Sequence, residues 1–186
     1  MATSPSAPVA SHRHRRLDTS VWKNERGEKR QTFYNTTLRK SYKDGEEWKS
    51  TAASFNRENL LPAAKLLEWA DTAIGQAIEK DVKAESEKKP VASKKRGLLE
   101  VAVWQRTGEE GTYYRASLKR SFKGGDEWKE SRVWLMSEDC LPAARLLMRS
   151  FDTIDELASQ PSGSFVESAQ EQFSGSVVDP DEDIPF

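Results

Sequence analysis

The chain has 186 residues, 36% of them hydrophobic and 32% charged, which suits one domain or two small ones carrying polar tails. No apolar run is long enough to span a bilayer and the first residues lack the apolar segment of a signal peptide, so a cytoplasmic protein with no membrane partner is expected. The one cysteine, Cys140, excludes an internal disulfide and stands among helix residues, where it reads as packing rather than as a nucleophile. The formal net charge of -1 is unevenly spread. Residues 159–186 hold Glu167, Glu171, Asp179, Asp181, Glu182 and Asp183 and no Lys or Arg, a charge of -6. The other 24 acids (30 - 6) face all 29 basic residues, which leaves the body at +5 and points to an anionic partner for it.

Residues 1–17 are rich in Ser, Pro and Ala and then turn basic through His12, Arg13, His14, Arg15 and Arg16. They are expected to be a disordered tail, either solvated without a role or adding non-specific phosphate contacts. His12 and His14 are not read as a metal site, because no other His exists and Cys140 is remote in sequence. Residues 18–78 form a first unit, with strands at 19–23, 32–43 and 48–55 marked by alternation and turn residues. The period then changes: Leu60, Ala63, Ala64, Leu67, Ala70 and Ile74 recur at helical spacing, with Pro62 tolerable only in or near a first turn.

Residues 79–97 are densely charged, contain Pro90 and lack apolar periodicity, which describes a linker. Residues 98–158 form a second unit, with strands at 99–105, 112–123 and 128–135. Its helix is expected to open at Ser137 as N-cap, with Glu138 and Asp139 in the first turn, and to run through Leu141, Ala144, Leu147, Phe151 and Ile154. Residues 159–186 are expected to be a disordered acidic tail.

The two units are related. SYKDGEEWK at 41–49 nearly matches SFKGGDEWK at 121–129, and an offset of 80 aligns 33–70 with 113–150 at 15 identities in 38 positions, including LPAA at 61–64 and 141–144. Val21-Trp22 matches Val103-Trp104 at an offset of 82, so the first copy has two extra residues in a turn. This is an internal duplication with its length change in a loop. A unit of on the order of 55 residues makes a marginal core alone, so the halves are expected to share one core or pack face to face as an intramolecular pseudo-dimer.

Strand alternation sorts the side chains by face, and the duplication allows this twice. Tyr34, Leu38 and Tyr42, with Tyr114, Leu118 and Phe122, take the parity that covers the helices, joined by Val21, Val101, Val103, Ala53, Phe55, Val133 and Leu135. The opposite parity presents Trp22, Phe33, Asn35, Arg39, Trp48, Trp104, Tyr113, Arg115, Lys119, Trp128, Arg132 and Trp134. Flat rings beside cations suit single-stranded nucleic acid, whose unpaired bases stack at roughly 1–3 kcal/mol each while Lys and Arg hold phosphates. Duplex DNA would hide its base faces. The competing reading is an aromatic interface with the other half or with a second chain, although the basic residues argue against an apolar contact. Trp48 and Trp128 follow acidic turns, and the alternative role for them is to brace those loops.

The chain ends Asp179-Pro180-Asp181-Glu182-Asp183-Ile184-Pro185-Phe186. Acids followed by an apolar Ile-Pro-Phe suit capture by a partner pocket that takes the ring, with a basic rim for the carboxylates. This tip resembles the C-terminal tip of bacterial single-stranded DNA-binding proteins of the SSB family, a resemblance that implies recruitment of genome-maintenance proteins through Asp181, Glu182, Asp183, Ile184, Pro185 and Phe186. The body does not resemble the OB-fold of that family. Its strands-then-helix order, with KNERG at 23–27, is similar to the Pur-alpha repeat and more loosely to the Whirly and transcription positive-cofactor families, which bind single-stranded nucleic acid on sheets. Those repeats have four strands, whereas three are clear in each copy here.

The expectation is therefore an α+β fold of two tandem β-β-β-(β)-α repeats forming a Pur/Whirly-like pseudo-dimer, alone or in a homo-oligomer, with disordered termini. The expected function is that of a bacterial or phage protein that coats single-stranded DNA and recruits replication, recombination or repair proteins, in the bacterial nucleoid or the infected cell. The alternatives are a Pur-like RNA-binding protein or transcription regulator, and a protein–protein adaptor that binds no nucleic acid. No phosphate loop, metal-ligand cluster or nucleophile–base arrangement stands out, so neither an enzyme nor a cofactor is expected.

Overall fold

The computed structural model describes residues 7–27, 31–84, 86, 88–109 and 111–159. Four strands precede a helix in each half: β1 (Ala10–His14), β2 (Leu17–Arg26), β3 (Gln31–Asp44), β4 (Glu47–Asn56) and α1 (Arg57–Glu79), then β5 (Ala92–Arg96), β6 (Leu99–Gly108), β7 (Gly111–Gly124), β8 (Glu127–Met136) and α2 (Cys140–Ser159). All eight strands form one antiparallel sheet in the order β1-β2-β3-β4-β8-β7-β6-β5. The protein is thus α+β, with one face of the sheet under two helices. Among the described residues no helix is long and apolar enough to cross a membrane.

Two sequence expectations are corrected here. Residues 10–14, assigned to a disordered tail, form β1, and residues 92–96, assigned to the linker, form β5. Both are short edge strands reading ASHRH and ASKKR. Charged residues on an edge protect it from pairing with other chains, and here they also erase the apolar alternation by which a strand is recognised. These are the fourth strands that the sequence reading lacked.

The hairpins turn at Gly45-Glu46 and Gly125-Asp126, where the glycines hold φ of 60° and 70°. A positive φ at the first turn residue suits glycine and matches the twist of the flanking strands. Helix α1 begins at Arg57, directly after β4, so Pro62 is its sixth residue, one turn deeper than expected. In the second half a 3-10 turn at Ser137–Asp139 precedes α2. The cap there is Met136 rather than Ser137, and Asp139 Oδ2 accepts the Met136 N–H at 3.0 Å.

Each helix lies chiefly over the strands of the opposite half. Helix α1 rests on β5, β6 and β7, helix α2 rests on β1, β2 and β3, and the helices pack on each other. The core joins Leu17, Val21, Leu38 and Phe55 to Val101, Val103, Leu118 and Leu135 beneath Leu60, Leu67, Ile74, Leu147 and Ile154, all essentially buried. Neither half alone would cover its own sheet, and removing one such Leu side chain would cost about 2–5 kcal/mol. Tyr114 is buried as expected and donates its hydroxyl to the Val82 carbonyl at 2.7 Å, just past the end of α1. Tyr42 departs from expectation: it has the helix-side parity but is exposed near the hairpin turn, and Phe122 is only partly covered, with the Arg120 guanidinium 5.3 Å from its ring.

The seam between halves is the β4–β8 junction, where only Ala52 and Arg132 pair. Two side-chain hydroxyls and a guanidinium complete it. Ser54 N–H donates to Ser131 Oγ (3.3 Å), Trp134 N–H donates to Thr51 Oγ1 (3.1 Å), and Arg120 donates to the Ser54 carbonyl (3.2 Å). Backbone groups left by diverging strands are costly when buried, which explains the need for these partners.

Candidate nucleic-acid interface

The face opposite the helices is built by the alternate residues of β2–β4 and β6–β8. Because Leu38, Ala53, Val101, Leu118 and Val133 point into the core, the pleat sends their neighbours to the open side. This follows the expected parity. In the second half the side chains converge: the Trp104 and Trp134 rings stand 6.0 Å apart at a tilt of 58°. The Arg115 guanidinium lies 4.1 Å from the Trp134 ring, Arg132 lies 5.9 Å from the same ring, and Arg106 lies 5.4 Å from that of Trp104. Trp104 Nε1 donates to Ser117 Oγ at 3.0 Å, fixing the indole across the β6–β7 pair.

The cations differ in how they are held. Lys119 sits between Glu100 at 2.9 Å and Glu130 at 3.1 Å and is only 20% exposed. The hydrogen bond from Lys119 draws the Glu100 carboxyl below its ordinary range, and the bond to Glu100 raises the Lys119 ammonium. Arg39 is paired with Asp18 at 3.1 Å, and Arg132 reaches Glu130 at 3.4 Å. Arg115 has no carboxylate partner among the described residues, and its buried Nε finds no hydrogen-bond acceptor. Burial lowers the Arg115 guanidinium, with Arg106 adding to the effect. An anion is what this group lacks.

The remaining expected positions are more dispersed. Trp22 and Asn35 are opposite each other on β2 and β3 and are partly buried. Phe33 is exposed opposite Asn24 and helps line a groove of about 620 Å³ with Asn35, Arg57 and Glu58. Tyr113 is opposite Arg106, with its ring against Gly108, where an added Cβ would come within 3.3 Å of it. Trp48 and Trp128 are 63% and 66% exposed in the hairpin ends, each three residues past its turn glycine, and the Arg16 guanidinium lies 5.4 Å from the Trp48 ring. They do not join the Trp104–Trp134 cluster. The sixth tryptophan, Trp69, is on α1 with Lys94 Nζ 5.6 Å from its ring.

Arg106 was missed in the sequence. The signal was available, since Arg106 shares the parity of Trp104 two residues earlier. The expected partner-binding residues Asp181, Glu182, Asp183, Ile184, Pro185 and Phe186 lie outside the described residues, as does the rest of 160–186. Cys140 is buried at the start of α2, donates to the Met136 carbonyl at 3.5 Å, and has its thiol pushed up to about 12 by burial. It is therefore protonated at neutral pH, as a packing residue should be. Among the described residues no cluster of His, Cys, Asp or Glu is arranged to hold a metal ion. No protein-family model matches the chain, and no curated protein matches it.

Proposed function

We propose that this protein binds single-stranded DNA on the open face of its sheet and recruits genome-maintenance proteins through its acidic C-terminal tip. It is a binding protein rather than an enzyme. The observation that carries this reading is the Trp104–Trp134 pair flanked by Arg106, Arg115 and Arg132 on the sheet face opposite both described helices. Unpaired bases stack on such rings, and guanidinium groups donate to phosphates in the same place. A duplex would offer phosphates but no base faces, leaving both indoles unused.

The two halves, each four strands and a helix, are on this reading a fused pseudo-dimer of the Pur/Whirly kind. The helix of each half resting on the strands of the other supports it, as does the internal sequence repeat. In the tip, Asp181, Glu182, Asp183, Ile184, Pro185 and Phe186 are the docking residues, by their resemblance to the SSB-family tip.

The deciding experiment is binding to matched single-stranded DNA, single-stranded RNA and duplex DNA over a range of salt, followed by tryptophan fluorescence. Quenching by oligo-dT, weakening as salt rises, is the expected result. Equal or tighter binding to RNA would favour a Pur-like RNA-binding role. No quenching by either strand at low salt would leave the protein–protein adaptor. Removing residues 179–186 is expected to abolish partner recruitment and leave DNA binding intact.

A further inference from the structure

The open face differs chemically between its two halves. Across β2, β3 and β4 the aligned rows are Trp22–Asn35–Asn56, Ser20–Thr37–Ser54 and Asp18–Arg39–Ala52. The matching rows across β6, β7 and β8 are Trp104–Arg115–Met136, Ala102–Ser117–Trp134 and Glu100–Lys119–Arg132. The tryptophan of the first row recurs, and so does the acid–base pair of the third. Arg115, Trp134 and Arg132 do not recur, for their counterparts are Asn35, Ser54 and Ala52. Arg106 likewise stands where the first half has Asn24.

This difference falls on the groups with chemistry to offer. In the first half Trp22 has no second indole beside it, and the one cation of its rows, Arg39, is already paired with Asp18. In the second half a base has two tilted rings to rest on, and among the described residues Arg115 finds no acceptor for a buried N–H. Of the acids there, Glu100 is paired with Lys119, and Glu130 with Lys119 and Arg132.

Resting on the reading of this face as a surface for single-stranded DNA, we infer that it holds one nucleotide-binding subsite rather than two. The subsite lies on β6–β8: bases stack on Trp104 and Trp134, and Arg115 takes the phosphate beside them. The duplication supplies the scaffold twice and the binding chemistry once.

The test uses the full chain and an oligo-dT of about eight nucleotides, short enough that two sites would take two strands. Calorimetric titration of the wild type is expected to give one strand per chain. Trp104→Ala should weaken binding about tenfold or more, and Trp22→Ala by no more than about twofold. The variant Arg115→Asn/Arg132→Ala/Trp134→Ser, which copies the first half, should lose binding by at least about tenfold with its circular-dichroism melt preserved. If the triple variant does not fold, Arg115→Asn alone carries the comparison. The mirror variant Asn35→Arg/Ala52→Arg/Ser54→Trp should gain a second bound strand. Two strands on the wild type, or equal losses from Trp22→Ala and Trp104→Ala, would overturn the single subsite while leaving the DNA-binding reading in place. Failure of the wild type to bind any oligo-dT would remove that reading and this inference with it.

Discussion

The Lys40 ammonium on β3 lies 2.6 Å from the Asp139 carboxylate at the start of α2, with the two side chains only 14% and 10% exposed. The same carboxylate accepts the Met136 N–H, so one group fixes the helix start and ties the halves together. In the alignment Lys40 and Asp139 correspond to Arg120 and Asn59, and there Arg120 donates to the Ser54 carbonyl while its buried Nε finds no acceptor among the described residues. Asp139→Ala is expected to destabilise by about 3 kcal/mol, because it strands a largely buried charge. Asn59→Asp should stabilise by about 1 kcal/mol by giving Arg120 a carboxylate. Urea unfolding checks both, and a loss for Asp139→Ala below about 1 kcal/mol would mean that the pair behaves as a surface ion pair.

Ser150 on α2 and Thr19 on β2 share a hydrogen bond of 3.0 Å between buried hydroxyls, and Ser150 also reaches the Leu146 carbonyl at 2.9 Å. Their aligned counterparts are Ala70 and Val101, an apolar pair in the same place on the other side. Ser150→Ala alone should cost about 1–3 kcal/mol, since the Thr19 hydroxyl loses its buried partner. The double change Thr19→Val/Ser150→Ala should recover most of that loss. A thermal-melt double-mutant cycle without recovery would show that the site needs the hydroxyls for packing rather than for pairing.

Lys119 shares the sheet face with Arg115 but is held by Glu100 and Glu130. On the proposed reading of this face, Lys119→Met is therefore expected to change affinity for single-stranded DNA by less than about twofold, in contrast to Arg115→Asn. Glu130→Gln loosens both Lys119 and Arg132 and should tighten DNA binding, with a salt slope steeper by about one phosphate contact. Fluorescence titration at several salt concentrations separates the outcomes. A loss from Lys119→Met as large as that from Arg115→Asn would show that the carboxylates do not withhold this lysine.

His12 on β1 is partly buried, with Nε2 3.0 Å from Thr153 Oγ1 on α2, and Thr153 donates to the Arg149 carbonyl. Burial, and secondarily the positive charge of Arg149, lower the imidazole below 6.5. A histidine depressed on folding contributes stability that is fully present above its unfolded value and is lost as the pH falls through 6.5 toward the folded one. The melting temperature of the wild type should therefore drop more than that of His12→Gln between about pH 7.5 and pH 5.5. Parallel pH profiles would mean that β1 is not held on α2 through this residue.

Much of the scaffold was readable because it depends on local geometry. Alternation in 32–43 and 112–123 marked β3 and β7, and the spacing of Leu60, Leu67 and Ile74 marked α1. The edge strands were not readable, since ASHRH and ASKKR alternate polar with polar. The face carrying Trp104, Arg115 and Trp134 was legible for the same local reason. Its weighting was not: Lys119 and Arg115 sit four residues apart on one strand with the same parity, and nothing nearby in sequence tells which of them is neutralised.

A strand's pleat assigns each side chain to a face from its immediate neighbours alone, so the residues themselves specified the core face, the open face and the internal repeat. Partners across strands depend on register and on which segments meet, and those come from contacts distant in the chain. The fold therefore decided that β4 lies beside β8, that each helix chiefly covers the strands of the opposite half, and that Glu100 and Glu130 claim Lys119 while Arg115 stacks on Trp134 with no acid beside it among the described residues. Two similar halves were written in the chain, and their unequal chemistry emerged only when the rows of the sheet were brought into line.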